Sequence, residues 1–137
     1  MQVTGAYKLR GAYFKISTLT DEEKARGLVT ASAGNHAQGI ALSATKLGIK
    51  SVICMPEGAP ISKVEATRNY GAEVVLVPGV YDDAAREAER LSKEHGYTFV
   101  HPFNDLDVAC GQGTIAYEIF SDLPDVDIIL VPVGGGG

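Results

Sequence analysis

The sequence has no tryptophan, few aromatic residues (7% of 137) and only two cysteines. Cys54 and Cys110 stand apart without metal-site spacing, so we interpret both as buried small hydrophobic side chains in a reducing compartment. Basic residues form no cluster and are outnumbered by acidic ones, 12 to 17. No apolar run exceeds strand length and no secretion signal opens the sequence. These absences predict a cytoplasmic protein without a nucleic-acid or membrane partner.

The pattern that is present alternates short apolar runs with helical periodicity. Strands are predicted at 28–31, 51–55, 73–77, 98–100 and 127–133, and helices at about 36–47, 61–70, 82–95 and 111–120. A hydrophobic content of 45% suffices for one ordinary core. Strands that alternate with helices form parallel βαβ units, so the sequence predicts an α/β fold with an open, mainly parallel twisted sheet and flanking helices.

Two further helices are predicted before the first strand. The first has apolar residues at helical spacing, at Leu9, Ala12, Tyr13 and Ile16. Thr4 is its predicted N-cap, which would put Lys8 in the first or second turn. Thr20 opens a capping box for a short second helix that Gly27 ends.

A run of small polar residues, Ser32-Ala33-Gly34-Asn35-His36, joins the first strand to the next helix. Backbone N–H groups at such a turn lack helical partners, and the helix dipole favours an anion there. Gly34 permits close approach of a ligand, and Asn35 adds a donor and an acceptor. A well-capped turn without a ligand would look the same. For His36 an acid–base role stays open, although we favour packing or binding of a carboxylate.

Glycines occupy the last four positions, Gly134, Gly135, Gly136 and Gly137. Between a strand and a helix they would form a phosphate-binding loop, whereas without a following helix they would form a disordered tail. A lysine amine, an anion site and a phosphate loop are the parts that hold pyridoxal phosphate as a Schiff base. Composition alone does not single out Lys8 from Lys15, Lys24, Lys46 and Lys63.

Three motifs carry a strong resemblance to one family. Residues 4–12 (TGAYKLRGA), residues 32–39 (SAGNHAQG) and the glycines at 134–137 closely resemble the threonine dehydratase (threonine ammonia-lyase) family. That family belongs to the fold-type II, tryptophan synthase β-like pyridoxal-phosphate enzymes, with serine racemase and cysteine synthase. The segment 55–60, Lys63 and residues 111–114 are similar as well, so the resemblance spans the whole chain.

The resemblance implies roles for individual residues. Lys8 matches the lysine that forms the Schiff base with pyridoxal 5'-phosphate, and Asn35 matches the residue that hydrogen-bonds the ring hydroxyl. Gly134, Gly135, Gly136 and Gly137 match the phosphate loop. The substrate carboxylate would be bound by the turn made of Ser32, Ala33, Gly34, Asn35 and His36. The implied reaction is β-elimination from a small amino acid, L-threonine or L-serine, to a 2-oxo acid and ammonia.

Two alternative activities remain open. Serine racemases resemble the second motif but usually have serine where this chain has Ala33, and a methyl group cannot transfer a proton. The sequence therefore favours dehydration over racemisation. Residues 111–116 fit the Gly-x-Gly-x-x-Ala pattern of dinucleotide-binding proteins. They follow helix-like residues instead of a strand, which argues against that class.

The resemblance also predicts a division of the chain. Residues 28–107 would form the small α/β domain of the family, while 1–27, with Lys8, and 108–137 would be pieces of the large cofactor domain. The sequence therefore looks like a fragment of a longer enzyme. We expect the isolated chain to bind the cofactor weakly, to have little activity and to self-associate through exposed apolar faces. A non-catalytic folded fragment is the remaining alternative.

Overall fold

The computed structural model describes residues 3–133 and has a mixed α/β architecture. Its elements, in chain order, are α1 (Lys8–Thr18), α2 (Asp21–Arg26), β1 (Leu28–Ala31), α3 (Asn35–Lys46), β2 (Ser51–Pro56), α4 (Ile61–Asn69), β3 (Glu73–Val77), α5 (Tyr81–His95), β4 (Thr98–Phe99) and α6 (Leu106–Asp122).

The four strands form one parallel sheet in the order β3-β2-β1-β4. Thr30 pairs with Ile53 across β1 and β2, and Val29 pairs with Phe99 across β1 and β4. β2 and β3 follow one another on one side of β1. After β3, helix α5 leads back across the sheet, and β4 pairs with β1 on its other side. The predicted open parallel α/β fold is confirmed.

Helices cover both faces of the sheet, and alternate residues of the strands belong to two hydrophobic cores, one on each face. Leu28, Ile53 and Met55 pack with residues of α1, α3 and α4 on one face. Val29 and Cys54 pack with α5 on the other face. Every residue of β1 is buried, as expected for a central parallel strand covered on both sides.

The start of α1 differs from the prediction. The helix begins at Lys8, its N-cap position is Tyr7, and no side chain caps it. Thr4 instead donates its hydroxyl to the carbonyl of Ala6 at 3.3 Å, because the chain makes a separate turn before the helix. The capping box at Thr20 and the helix end at Gly27 are confirmed.

Three other details of the prediction are wrong. Residues 127–133 form no strand, since no strand of the described part of the chain lies beside them. The last helix starts at Leu106 because the Asp105 side chain caps it there. Cys110 is exposed on that helix, whereas Cys54 is buried as expected, and burial raises the pKa of its thiol to about 11.

The division of the chain at residues 27 and 107 stays a prediction. In the structure α1 contacts both α3 and α6, so it shares a core with the sheet unit. Across residues 3–133, no helix has the combination of length and apolar character needed to cross a bilayer.

Candidate functional site

The strand order locates a candidate site at one end of the sheet. All four strands run parallel, but β2 and β3 are added on one side of β1 and β4 on the other, so the order of strand addition reverses between β1 and β4. In open α/β sheets, ligands bind at the carboxyl ends of the strands where such a reversal occurs. The loops that leave this point are residues 32–34, after β1, and residues 100–105, after β4.

Lys8 is the first residue of α1, and its side chain contacts one of these loops. Its Nζ donates to the Pro102 carbonyl at 3.5 Å, the upper limit for a hydrogen bond, and the contact is partly buried. The α1 backbone approaches α3 closely at Gly39, where an added Cβ would lie 3.2 Å from the Lys8 carbonyl oxygen. Because Gly39 lies one turn after Asn35 and His36, this packing brings Lys8 beside the start of α3.

The N-terminus of α3 has no side-chain cap. Gly34 N–H donates to the Ser32 hydroxyl at 3.3 Å, and the first helical bond runs from Gln38 N–H to the Gly34 carbonyl. The N–H groups at 35–37 therefore lack an acceptor within the helix. An added Cβ at Gly34 would meet nothing within 4 Å. Asn35 is exposed and so can contact an anionic ligand, whereas His36 and Ala37 are buried.

His36 lies behind this turn and is 2% exposed. Its Nε2–H donates to the Val100 carbonyl at 3.4 Å, and the same oxygen accepts the Thr30 hydroxyl at 2.7 Å. Burial lowers the pKa of His36 from 6.5 to about 4, aided by the nearby charges of Lys8 and His101. The imidazole is therefore neutral at pH 7. Its buried Nδ1 has no hydrogen-bond partner among the residues that the structure describes.

The loop after β4 is held in shape by its own side chains. His101 Nδ1 accepts the N–H groups of Phe103 at 3.3 Å and Asn104 at 2.8 Å. The Asp105 carboxylate then caps α6 by accepting the N–H of Asp107 at 2.9 Å. Sequence reasoning did not include this loop in the site. Asp105 immediately before a helical pattern was the available signal, because aspartate is a preferred N-cap.

The structure thus brings together most of the predicted site residues. Lys8 and the turn of Ser32, Ala33, Gly34, Asn35 and His36 lie at the same end of the sheet. The predicted phosphate loop, Gly134, Gly135, Gly136 and Gly137, lies outside the described residues. Between residues 3 and 133 there is no group of three or more His, Cys, Asp or Glu side chains placed to hold a metal ion.

Comparison with known proteins identifies the family. The model of the pyridoxal-phosphate dependent enzymes matches residues 1–137. The chain belongs to this family. An L-threonine ammonia-lyase of Thermotoga maritima is 56% identical over 137 residues, all of this chain and 34% of that protein. A protein of Staphylococcus aureus strain N315 named L-threonine dehydratase catabolic TdcB is 53% identical over the same length, 40% of that protein.

Solved structures of family members share the fold. The processed form of threonine deaminase isoform 2 from Solanum lycopersicum has a TM-score of 0.94 and 44% identity, covering 98% of this chain and 37% of that one. Maize serine racemase has a TM-score of 0.94 and 38% identity, covering 98% and 41%. The chain therefore spans between about a third and two fifths of these relatives.

The residues at the site fit pyridoxal 5'-phosphate, the cofactor of the family. Lys8 has a partly buried amine, the type of group that would bind the cofactor's aldehyde. The uncapped start of α3 and the open space at Gly34 leave room and donors for an anionic group. The unpartnered Nδ1 of His36 is a further buried polar atom at this turn.

Proposed function

We propose that this chain contributes the lysine and the substrate-binding turn of an enzyme that eliminates water from L-threonine or L-serine, after which hydrolysis of the resulting enamine releases ammonia. The observation that carries the proposal is the Lys8 amine beside the uncapped N-terminus of α3, at the reversal point of the sheet. The names of relatives at 56% and 53% identity support the same reaction. Its products are a 2-oxo acid and ammonia.

Each residue of the site has a defined task in this proposal. Lys8 binds the aldehyde of the cofactor, whose ring, when bound, stabilises negative charge at the substrate Cα. With substrate bound, the amine of Lys8 would be the group that accepts the Cα proton. The turn of residues 32–36, at the uncapped start of α3, binds the substrate carboxylate.

The other groups of the turn complete the proposed site. Asn35 hydrogen-bonds the ring hydroxyl, and Gly134, Gly135, Gly136 and Gly137 bind the phosphate. His36 remains neutral, so it adds no positive charge beside Lys8 and packs behind the carboxylate site.

Racemisation is a second candidate, because maize serine racemase shares the fold over 98% of this chain. Racemisation requires a proton donor on the face of the substrate opposite the lysine. At the position where serine racemases usually have serine, this chain has Ala33, which offers no exchangeable proton. We therefore favour elimination. The name of the Staphylococcus aureus relatives favours a catabolic role over isoleucine biosynthesis.

The test places this chain in a relative, in exchange for that protein's own matching segment. Residues 1–137 replace the matching segment of the Thermotoga maritima enzyme, and the chimera is incubated with pyridoxal phosphate and reduced with borohydride. We expect mass spectrometry to find the cofactor on Lys8, and L-threonine to give 2-oxobutanoate without D-allothreonine, the product of inversion at Cα. Lys8→Ala abolishes both adduct and turnover, whereas the matched Lys46→Ala variant at the exposed end of α3 retains them.

The outcome against the proposal is a Lys8→Ala chimera that still deaminates threonine. The isolated chain serves as a second sample, in which we expect a weak adduct and little turnover. Strong 2-oxobutanoate production by the isolated chain would contradict the expectation that it is an incomplete catalyst.

A further inference from the structure

Helix α1 contacts the loop after β4 at two places. Lys8 touches the Pro102 carbonyl near the start of the loop. Two turns later, Lys15 forms ion pairs with Asp105 at 3.1 Å and with Asp107 at 2.9 Å. Because residues seven apart share a helix face, one side of α1 holds both ends of this loop.

The two oxygens of Asp105 have separate roles. Oδ1 accepts the N–H groups of Asp107 at 2.9 Å and Val108 at 3.3 Å and so caps α6. Oδ2 binds Lys15 Nζ. The side chains of Lys15 and Asp105 are only 19% and 15% exposed, so solvent screens this pair less than it screens a surface ion pair. Burial acts to raise the pKa of the Asp105 carboxyl, but the bond from Lys15 and the cap hydrogen bonds outweigh it and lower the pKa.

The loop between these anchors is fixed at both of its ends. Its first end is fixed where Thr30 and His36 both donate to the Val100 carbonyl. Its second end is fixed to α6 by the cap and to α1 by Lys15. Helices α1 and α6 also touch directly, since an added Cβ on Gly111 would lie 2.6 Å from Gly11 Cα. Loss of Lys15 would therefore leave the helix packing in place and remove the ion pair that holds the second end of the loop on α1.

We propose that Lys15 is a positioning residue that holds the loop of residues 101–105 against α1 and so fixes the Pro102 carbonyl in front of the Lys8 amine. Lys15 acts through Asp105 and does not touch the cofactor or the substrate. The importance of this arrangement for cofactor binding rests on the proposed function. The positioning of the loop by Lys15 is independent of the proposed function, because it concerns contacts within the chain.

The test compares two aldehydes that react with Lys8 in the chimera of residues 1–137 with the Thermotoga maritima enzyme, in which the unaltered chain is the reference. Formaldehyde with cyanoborohydride reports how open the Lys8 amine is, while pyridoxal phosphate with borohydride reports whether it is productively placed. In Lys15→Met we expect Lys8 methylation to rise and the cofactor adduct at Lys8 to fall, each by roughly tenfold, because small displacements of a reacting group have effects of that order or larger. Lys15→Arg restores both values towards those of the unaltered chain, since it keeps the charge.

Two further variants control for loss of stability. Arg90→Met removes a side chain that also contacts two carboxylates, Glu87 and Glu94, but on α5. It should change neither reaction at Lys8. Asp105→Asn keeps an N-cap oxygen for α6 while it removes the ion pair, so it should reproduce Lys15→Met even if that variant folds poorly.

The results separate the two proposals. Equal methylation of Lys8 in Lys15→Met, Asp105→Asn and the unaltered chain would overturn the positioning role, and so would an equal change in Arg90→Met. If the methylation results are as expected but no sample forms a cofactor adduct at Lys8, the positioning role stands and the proposed function fails.

Discussion

At the scale of single residues, the state of His36 distinguishes the candidate site from an ordinary strand-to-helix turn. A buried imidazole normally satisfies both ring nitrogens, yet here only Nε2 has a partner within the described residues. Neutral His36 stabilises the fold by tying the start of α3 to the end of β4 through the Val100 carbonyl. Protonation would place a charge in a site that burial and the Lys8 amine both disfavour.

A pH dependence of stability follows from His36. Its folded pKa of about 4 lies below the value of 6.5 for a free imidazole, so the unfolded chain binds more protons between these values. The stabilisation is complete above pH 6.5 and is lost as pH falls towards 4. Between pH 7 and pH 5 we expect His36 to account for a loss of about 2 kcal/mol in the free energy of unfolding, measured by urea denaturation.

The control is His36→Gln, which retains a donor for the Val100 carbonyl but does not titrate in this range. Between pH 7 and pH 5, the free energy of unfolding of this variant should fall by about 2 kcal/mol less than that of the unaltered chain. An identical pH dependence in the two proteins would show that His36 is not the group responsible.

At the scale of the elements, the crossing of α1 and α6 sets where Lys8 lies relative to the loop after β4. An added Cβ on Gly111 would lie 2.6 Å from Gly11 Cα and 2.7 Å from the Arg10 carbonyl oxygen, both backbone atoms. Arg10 also forms a bidentate pair with Glu118 on α6. The two helices therefore meet backbone to backbone, and only glycine fits at the crossing.

Gly111→Ala should therefore destabilise the chain. The methyl group would force α1 and α6 apart, with an expected cost of about 1–3 kcal/mol in the free energy of unfolding. Gly113 offers a matched control in the same helix, because an added Cβ there meets nothing within 4 Å. Gly113→Ala should increase stability by about 0.5–1 kcal/mol, since alanine favours the helix. Thermal melts of both variants test the crossing, and equal effects would contradict it.

At the scale of the whole molecule, the sheet is covered on both faces while α6 and the residues after it are not. Large apolar side chains remain exposed there, with Leu106 at 85%, Tyr117 at 77% and Leu130 at 91%. Apolar surface of this kind marks an interface with another chain or with further protein. The relatives named above are longer than this chain.

The isolated chain should self-associate through this surface. We expect its sedimentation coefficient to rise with protein concentration, and the double variant Tyr117→Lys with Leu130→Lys to remove most of that rise. The control places the same two charges elsewhere, with Ile61→Lys on α4 and Val80→Lys at the start of α5, where exposed apolar side chains also stand. An equal effect of both pairs would mean that net charge, and not this surface, governs association.

Much of the fold was determined by the sequence alone. Alternation of apolar strands with amphipathic helices specifies parallel βαβ units, and β1 to β3 lie where the pattern predicts them, because hydrophobic periodicity is a local property. The resemblance of the motifs at residues 4–12 and 32–39 specified the family, which the match over residues 1–137 confirms. The roles given to Lys8, Asn35 and the four glycines remain predictions.

Other features were decided only by the tertiary structure. The strand order, which sets the loop after β4 beside the turn after β1, depends on packing between segments about 70 residues apart, as the bond from Thr30 to Val100 illustrates. The contact of Lys15 with Asp105 has the same origin. Residues 127–133 are apolar enough for a strand but form none, because a strand needs a neighbour to satisfy its backbone hydrogen bonds, and local sequence does not supply one.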